Sequence, residues 1–195
     1  IRPQTDFSAF PSYLPSARQA YHSSYNDEPD VRQIGNMSIL PIRSRTRGPA
    51  PPPVDPSRPD IIDESIDLFR ANSLFRNFEI KGPADRLLIY LILFISDCLT
   101  KIASSKVPWT PNEALKQLST YSVDSFALPG DANFPLNSLY APPAGRADAD
   151  ALRSYLTQVR QETAARLVEK VFADGTPSKW WLAFTKRRFM GKSLT

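Results

Sequence analysis

The sequence predicts a mainly α fold: about five helices, one of them central and enclosed by the others, preceded by an extended proline-rich N-terminal arm. Three observations carry that reading. Eleven of the 19 prolines fall within residues 1–59, and a residue that fixes φ and lacks an N–H cannot sit in regular helix interiors. Residues 87–102 are apolar on nearly every side, a pattern a helix sustains only when other elements surround it. Residues 148–172 repeat apolar side chains at spacings of three and four. No strand-turn-strand alternation and no βαβ spacing accompanies them. The chain has 195 residues, 42% hydrophobic and 23% charged, ordinary usage for a globular protein and enough length to bury one core. The expected division is an additional, flexible segment over 1–19, the extended arm over 20–59 and a single helical domain over 60–195.

Within the arm, Ile34-Gly35-Asn36-Met37-Ser38-Ile39-Leu40-Pro41-Ile42 is apolar enough to be pinned down as a strand-like segment. Gly48-Pro49-Ala50-Pro51-Pro52-Pro53 reads as a polyproline II linker, a composition that SH3-type ligands share. Helical periodicity begins after Pro59. Asp60, Asp63 and Glu64 suit a helix N-terminus, and Ile62, Ile66, Phe69 and Ser73 share one face that Leu74 and Phe75 extend. Gly82-Pro83 ends that unit and opens the next, with Pro83 and Asp85 in the first turn. The longest apolar run, residues 87–95, is far short of the ~20 residues that span a bilayer, so it reads as a core helix rather than a membrane segment.

Thr110 and Glu113 form a capping box around Pro111 and start a short helix to about Tyr121, with Leu115 and Leu118 facing inward. Leu128-Pro129-Gly130 and Phe134-Pro135-Leu136-Asn137 are loop. In the helix over 148–172, Leu152, Tyr155, Leu156, Val159, Thr163, Leu167 and Val171 form the buried stripe. Arg153, Arg160, Glu162, Arg166, Glu169 and Lys170 are expected on the other face. Asp174-Gly175 stops it, and Thr176-Pro177 opens a last helix to about Phe189.

The search for chemistry yields little. Cys98 is the one cysteine and His22 the one histidine, which excludes a disulfide framework and any cysteine-cluster metal site and suits a reducing compartment. His22, beside Ser23 and Ser24, has no orienting acid in sequence to suggest a triad. Gly191-Lys192-Ser193 resembles the end of a phosphate loop, but Lys186 stands where the first glycine belongs. Asp60, Asp63, Glu64 and Asp67 read as a solvated helix start rather than a metal site. No catalytic, cofactor-binding or metal-binding residue is assigned.

Net charge is +4, and the excess lies at the end: Lys179, Lys186, Arg187, Arg188 and Lys192 follow Thr176 with no acid among them. An acidic partner fits such an end. Interleaved aromatics also allow a nucleic-acid binder, although no RNP pattern, zinc finger or basic zipper is present. Trp180 and Trp181 are separated by ~100° on a helix, so both cannot enter one narrow core. Two readings stay open: one tryptophan caps the core while the other packs under a loop, or the pair anchors a protein interface.

Taken together, these segments resemble the family of actin-related protein 2/3 complex subunit 3. The resemblance runs in order through Ala20-Tyr21-His22-Ser23-Ser24, Ile34-Gly35-Asn36-Met37, Leu40-Pro41-Ile42-Arg43-Ser44 and Gly48-Pro49-Ala50-Pro51. It continues through Ala84-Asp85-Arg86, Leu88-Ile89-Tyr90, Phe134-Pro135-Leu136-Asn137 and Tyr140-Ala141. It is densest at Arg160-Gln161-Glu162-Thr163, Glu169-Lys170-Val171-Phe172 and Pro177-Ser178-Lys179-Trp180-Trp181. Residues 1–19 have no counterpart in that pattern, and 103–125 match only loosely.

The resemblance implies a non-catalytic structural subunit of a seven-subunit complex that nucleates branched actin filaments. Implied partners are the actin-related proteins, chiefly the third, the other subunits and the actin filament, in the cytoplasmic, cortical actin cytoskeleton. Neither nucleic acid nor membrane insertion is expected, and no cofactor. The expected interface residues are Tyr21, His22 and Arg43 on the arm, with Lys179, Trp180, Trp181, Lys186, Arg187, Arg188 and Lys192 at the C-terminal end. Two other classes stand beside this one: a stand-alone proline-rich adaptor acting through residues 48–53, and a basic nucleic-acid-binding helical protein.

Overall fold

Helix α2 (Pro83–Ser104) is the axis of the computed structural model, which describes residues 20–194. The additional N-terminal segment expected over 1–19 lies outside the described residues. Helices α1 (Ile61–Asn72), α4 (Arg146–Val171) and α5 (Lys179–Leu182) pack on α2, and α3 (Pro111–Val123) docks on α4. Every residue from 87 to 95 is at most 1% exposed. By length and composition α2 could cross a membrane, but here the protein itself encloses it. Burying each such side chain contributes about 1.5–3 kcal/mol relative to leaving it exposed.

The helix starts follow their local chemistry. Asp60 caps α1 by accepting the N–H groups of Ile62 (3.0 Å) and Asp63 (3.2 Å), and Asp63 accepts the Asp60 N–H in return. Thr110 and Glu113 close the same reciprocal box on α3. Gly82 is the N-cap of α2, with Pro83 in its first turn, where a missing N–H costs nothing. The apolar stripe of α4 is buried throughout.

Five expectations need correction. The strand-like run is a two-residue hairpin, β1 (Gln33–Ile34) against β2 (Met37–Ser38), antiparallel with Ile34 opposite Met37. Gly35, at φ +60°, makes the turn, and a side chain there would collide with the Ala141 carbonyl. Leu74 does not extend the α1 face: the helix ends at Asn72, and Leu74 is 54% exposed. On α3 the inward row is Ala114, Leu118 and Ser122, spaced by four, which leaves Leu115 outside it. The polar face of α4 is solvated only in part: Glu169 and Lys170 are exposed, but Arg160 and Glu162 are buried and Arg166 nearly so. The last helix is one turn rather than three. Beyond α5 the chain folds back so that Phe189 is fully buried 5.8 Å from Phe78, and the Met190 N–H reaches the Phe75 carbonyl. A continuous helix would carry Phe189 away from that pocket.

Candidate partner-binding surface

The arm meets the helices through a row of polar side chains on α4. Tyr155, Gln158, Glu162 and Arg166 recur at spacings of three and four, so they line one edge of the helix. The Tyr155 hydroxyl accepts the Leu40 N–H and donates to the Leu40 carbonyl, both at 2.9 Å. Gln158 accepts from Ala50 N–H (2.8 Å) and donates to Thr46 C=O (2.9 Å). One Glu162 oxygen receives the Ser44 hydroxyl and the N–H groups of Arg45 and Thr46 within 2.9 Å. Arg166 donates to Asp60 (2.6 and 2.8 Å), to Asp63 (2.9 Å) and to the Arg43 carbonyl. An irregular backbone has no ladder to satisfy it, and these side chains supply the missing partners. Burial works to lower the Arg166 pKa, but Asp60 and Asp63 outweigh it and hold the value above the usual range.

Two arm residues expected at an interface are engaged within the chain. The His22 Nδ1 lies 2.8 Å from Asp85, whose oxygens also accept the N–H groups of Ser23 (2.8 Å) and Lys81 (2.9 Å). Burial pushes the Asp85 carboxyl up, yet these bonds hold it below the usual range. Arg43 pairs with Asp63 through its side chain, and its N–H donates to Asp60 at 2.8 Å. The ring of Tyr21 is exposed, while its backbone is clamped to Asn72 by two 2.9 Å bonds. Residues 48–51 are likewise held against α4 rather than extended into solvent, since Ala50 bonds Gln158 and Pro51 accepts from Ile42.

The C-terminal segment is arranged differently. Trp181 stacks on Phe69 at 6.0 Å and is half-buried, so it caps the core. Trp180 is 63% exposed, with Phe184 edge-on at 6.1 Å. Arg70, from the last turn of α1, lies 4.7 Å from the Trp180 ring and 5.6 Å from that of Trp181. Lys179, Lys186, Arg187, Arg188 and Lys192 are all exposed. Exposed Leu74 and Arg76 stand with Lys186, Arg187 and Arg188 around a groove of about 500 Å³. The structure thus brings Trp180, Trp181, Lys186, Arg187 and Arg188 beside the end of α1, sets Lys192 against α2, and leaves His22 and Arg43 tied to Asp85 and Asp63. Arg70 and Arg76 were missing from the sequence reading, which named Leu74 only as an extension of the apolar α1 face. The signal available was the four-residue spacing of Arg70 and Leu74, which shares a face only if the helix runs on.

An aromatic anchor beside a guanidinium, rimmed by exposed cations, is the composition of a protein-binding surface. Residues 18–194 match the P21-Arc family, the ARP2/3 complex ARPC3 (21 kDa) subunit. The chain belongs to this family. A Schizosaccharomyces pombe protein named actin-related protein 2/3 complex subunit 3 is 53% identical over 177 residues, covering 90% of this chain and 99% of its own length. The proteins of the same name from Saccharomyces cerevisiae and Dictyostelium discoideum are 51% and 46% identical, covering 90% and 89% of this chain and 99% of their own lengths. Membership in the subunit 3 family fits the mainly helical body described above.

Proposed function

We propose that this chain is a non-catalytic structural subunit of an actin-related protein 2/3 complex, supporting actin filament nucleation and branched networks. The single observation that carries the reading is Trp180, exposed between Arg70 and Phe184. Large aromatic and arginine side chains dominate interface energetics when a partner buries them. The partner that covers Trp180 is an actin-related protein subunit, chiefly the third, with other subunits of the seven-subunit assembly around it. The cations Lys186, Arg187 and Arg188 face the acidic surface of the actin filament and steer encounter with it. The place of action is the cytoplasmic, cortical actin cytoskeleton.

Affinity capture of the tagged chain from cytosol, followed by sizing and partner identification, tests the reading. The expected product is a large stoichiometric assembly containing two actin-related proteins, with recovery reduced in Trp180→Ala. Recovery as a free chain, or with nucleic acid, would overturn it.

A further inference from the structure

The C-terminal loop also lines a second groove. It folds over the C-terminal half of α2, and the groove between them, about 340 Å³, carries Lys101, Arg187, Arg188 and Lys192 in its walls. Among the described residues none of these four cations makes an ion pair, and Lys101 lies over the Tyr121 ring at 4.1 Å. Among the described residues the one acid in the walls is Asp97. Its oxygens are taken up by the Ser193 hydroxyl (2.8 Å), the Leu194 N–H (3.2 Å) and the Tyr121 hydroxyl (3.4 Å), so it fastens the loop rather than neutralising the cations. A second observation is independent of charge. The Ser96 Oγ, in the same wall, is shielded from solvent and has no hydrogen-bond partner among the described residues. A shielded hydroxyl left unpaired costs about 1–3 kcal/mol, and rotation about χ1 would turn it from its shielded position toward the groove, where an anionic oxygen can accept from it.

We propose that this groove binds a small anion bearing several clustered phosphates, with Lys101, Arg187, Arg188 and Lys192 as its charge partners and the Ser96 hydroxyl as a donor. The two guanidiniums offer forked donors that match phosphate oxygens, and the two ammoniums act as point charges. Charge density selects the ligand class. An acidic peptide spaces its carboxylates along a backbone at roughly 3.3 Å per residue, whereas four cations here surround one compact volume. A duplex or a helix is too wide for it. The same chemistry is presented by a soluble inositol polyphosphate and by a phosphoinositide headgroup.

The test is calorimetric titration of the full chain with inositol hexakisphosphate, beside flotation with phosphatidylcholine vesicles containing or lacking phosphatidylinositol bisphosphate. Saturable one-to-one binding that weakens steeply between about 50 and about 200 mM salt is expected. Arg187→Glu with Lys192→Glu should weaken it by about tenfold or more, while Arg45→Glu with Arg47→Glu, the same charge change on the exposed arm, should leave it within about twofold. Binding of the soluble probe alone identifies a free polyphosphate as the ligand, and flotation as well identifies the headgroup; both support the site. Absence of saturable binding, equal losses in the two double variants, or tighter binding of a polyglutamate peptide of equal charge would overturn it.

Discussion

Helix α2 buries a carboxylate near each end, and the two have opposite surroundings. Asp85 is wired to the arm through His22 and Ser23 and to the loop before α2 through Lys81, and its pKa is held down. Asp97 holds the C-terminal loop through Ser193 and Leu194, but burial dominates and pushes its pKa up. The same contrast runs through the segments they anchor. The arm has given much of its backbone, with the side chains of His22 and Arg43, to α1, α2 and α4, so those two side chains are structural. The C-terminal segment keeps an exposed tryptophan and a set of exposed cations. A charged or aromatic residue marks a partner surface only where the fold has not already claimed it.

The sharpest way to break that contrast is to remove a claimed charge. Asp60 caps α1, accepts the Arg43 N–H and pairs with Arg166 while only 3% exposed. Asp60→Ala should lose about 3–5 kcal/mol, because the largely buried Arg166 charge keeps only Asp63 as an acidic partner and the helix loses its cap. Urea unfolding measures this, and a loss below about 1 kcal/mol would mean that the arm is only loosely held.

The two tryptophans sharpen the comparison next. Trp181→Ala should cost about 2 kcal/mol of stability, less than the full core penalty because the ring is half-buried. Trp180→Ala should leave stability within about 0.5 kcal/mol yet weaken capture by the complex by about 2 kcal/mol, roughly 30-fold. Equal effects of the two variants in both assays would erase the distinction between core cap and anchor.

Much of the helical frame was legible because its signals are local. The capping box of Thr110 and Glu113, the Gly82-Pro83 start and the 3,4 stripe of α4 are short-range patterns that tertiary contacts leave alone. What escaped were features decided by distant partners. Arg160 sits on the polar side of α4 by periodicity, yet it is 2% exposed, within 4.3–5.2 Å of the Phe94, Tyr121 and Phe126 rings and bonded to the Tyr121 carbonyl at 2.9 Å. No spacing rule places three rings from three elements around one guanidinium. The end of α5 escaped for the same reason, since burial of Phe189 against Phe78 outweighs continued helix. Of the surface residues, Trp180 and the cations were legible as composition, but their companions Arg70 and Leu74 required the turn after Asn72.

A further contrast concerns pH. The lowered pKa of Asp85 contributes stability that is present above the ordinary value of 3.8 and lost as pH falls through the folded value. The raised pKa of Asp97 works the other way: its contribution is present below 3.8 and is lost as pH rises through the folded value. Relative to the parent chain, Asp85→Asn should therefore gain ground as pH falls below 3.8, and Asp97→Asn as pH rises above it. Denaturant midpoints across that range test the pair, and slopes of the same sign would contradict the assignment of opposite surroundings.

The smallest expected effect on stability comes from the unclaimed cations. Reversing Lys186, Arg187 and Arg188 to glutamate removes no ion pair among the described residues, so each change should stay within about 0.5 kcal/mol. The effect should appear in rate instead. Exposed charge steers encounter over about 10 Å at 0.1 M salt, so the triple variant should join filaments more slowly at low salt and converge on the parent as salt rises. Arg43→Glu is the contrasting change, because it sets a new acid against Asp60 and Asp63 and should lower stability at every salt concentration. Unchanged branching by the triple variant at low salt would remove the steering role and leave Trp180 and its neighbours as the whole of the partner surface.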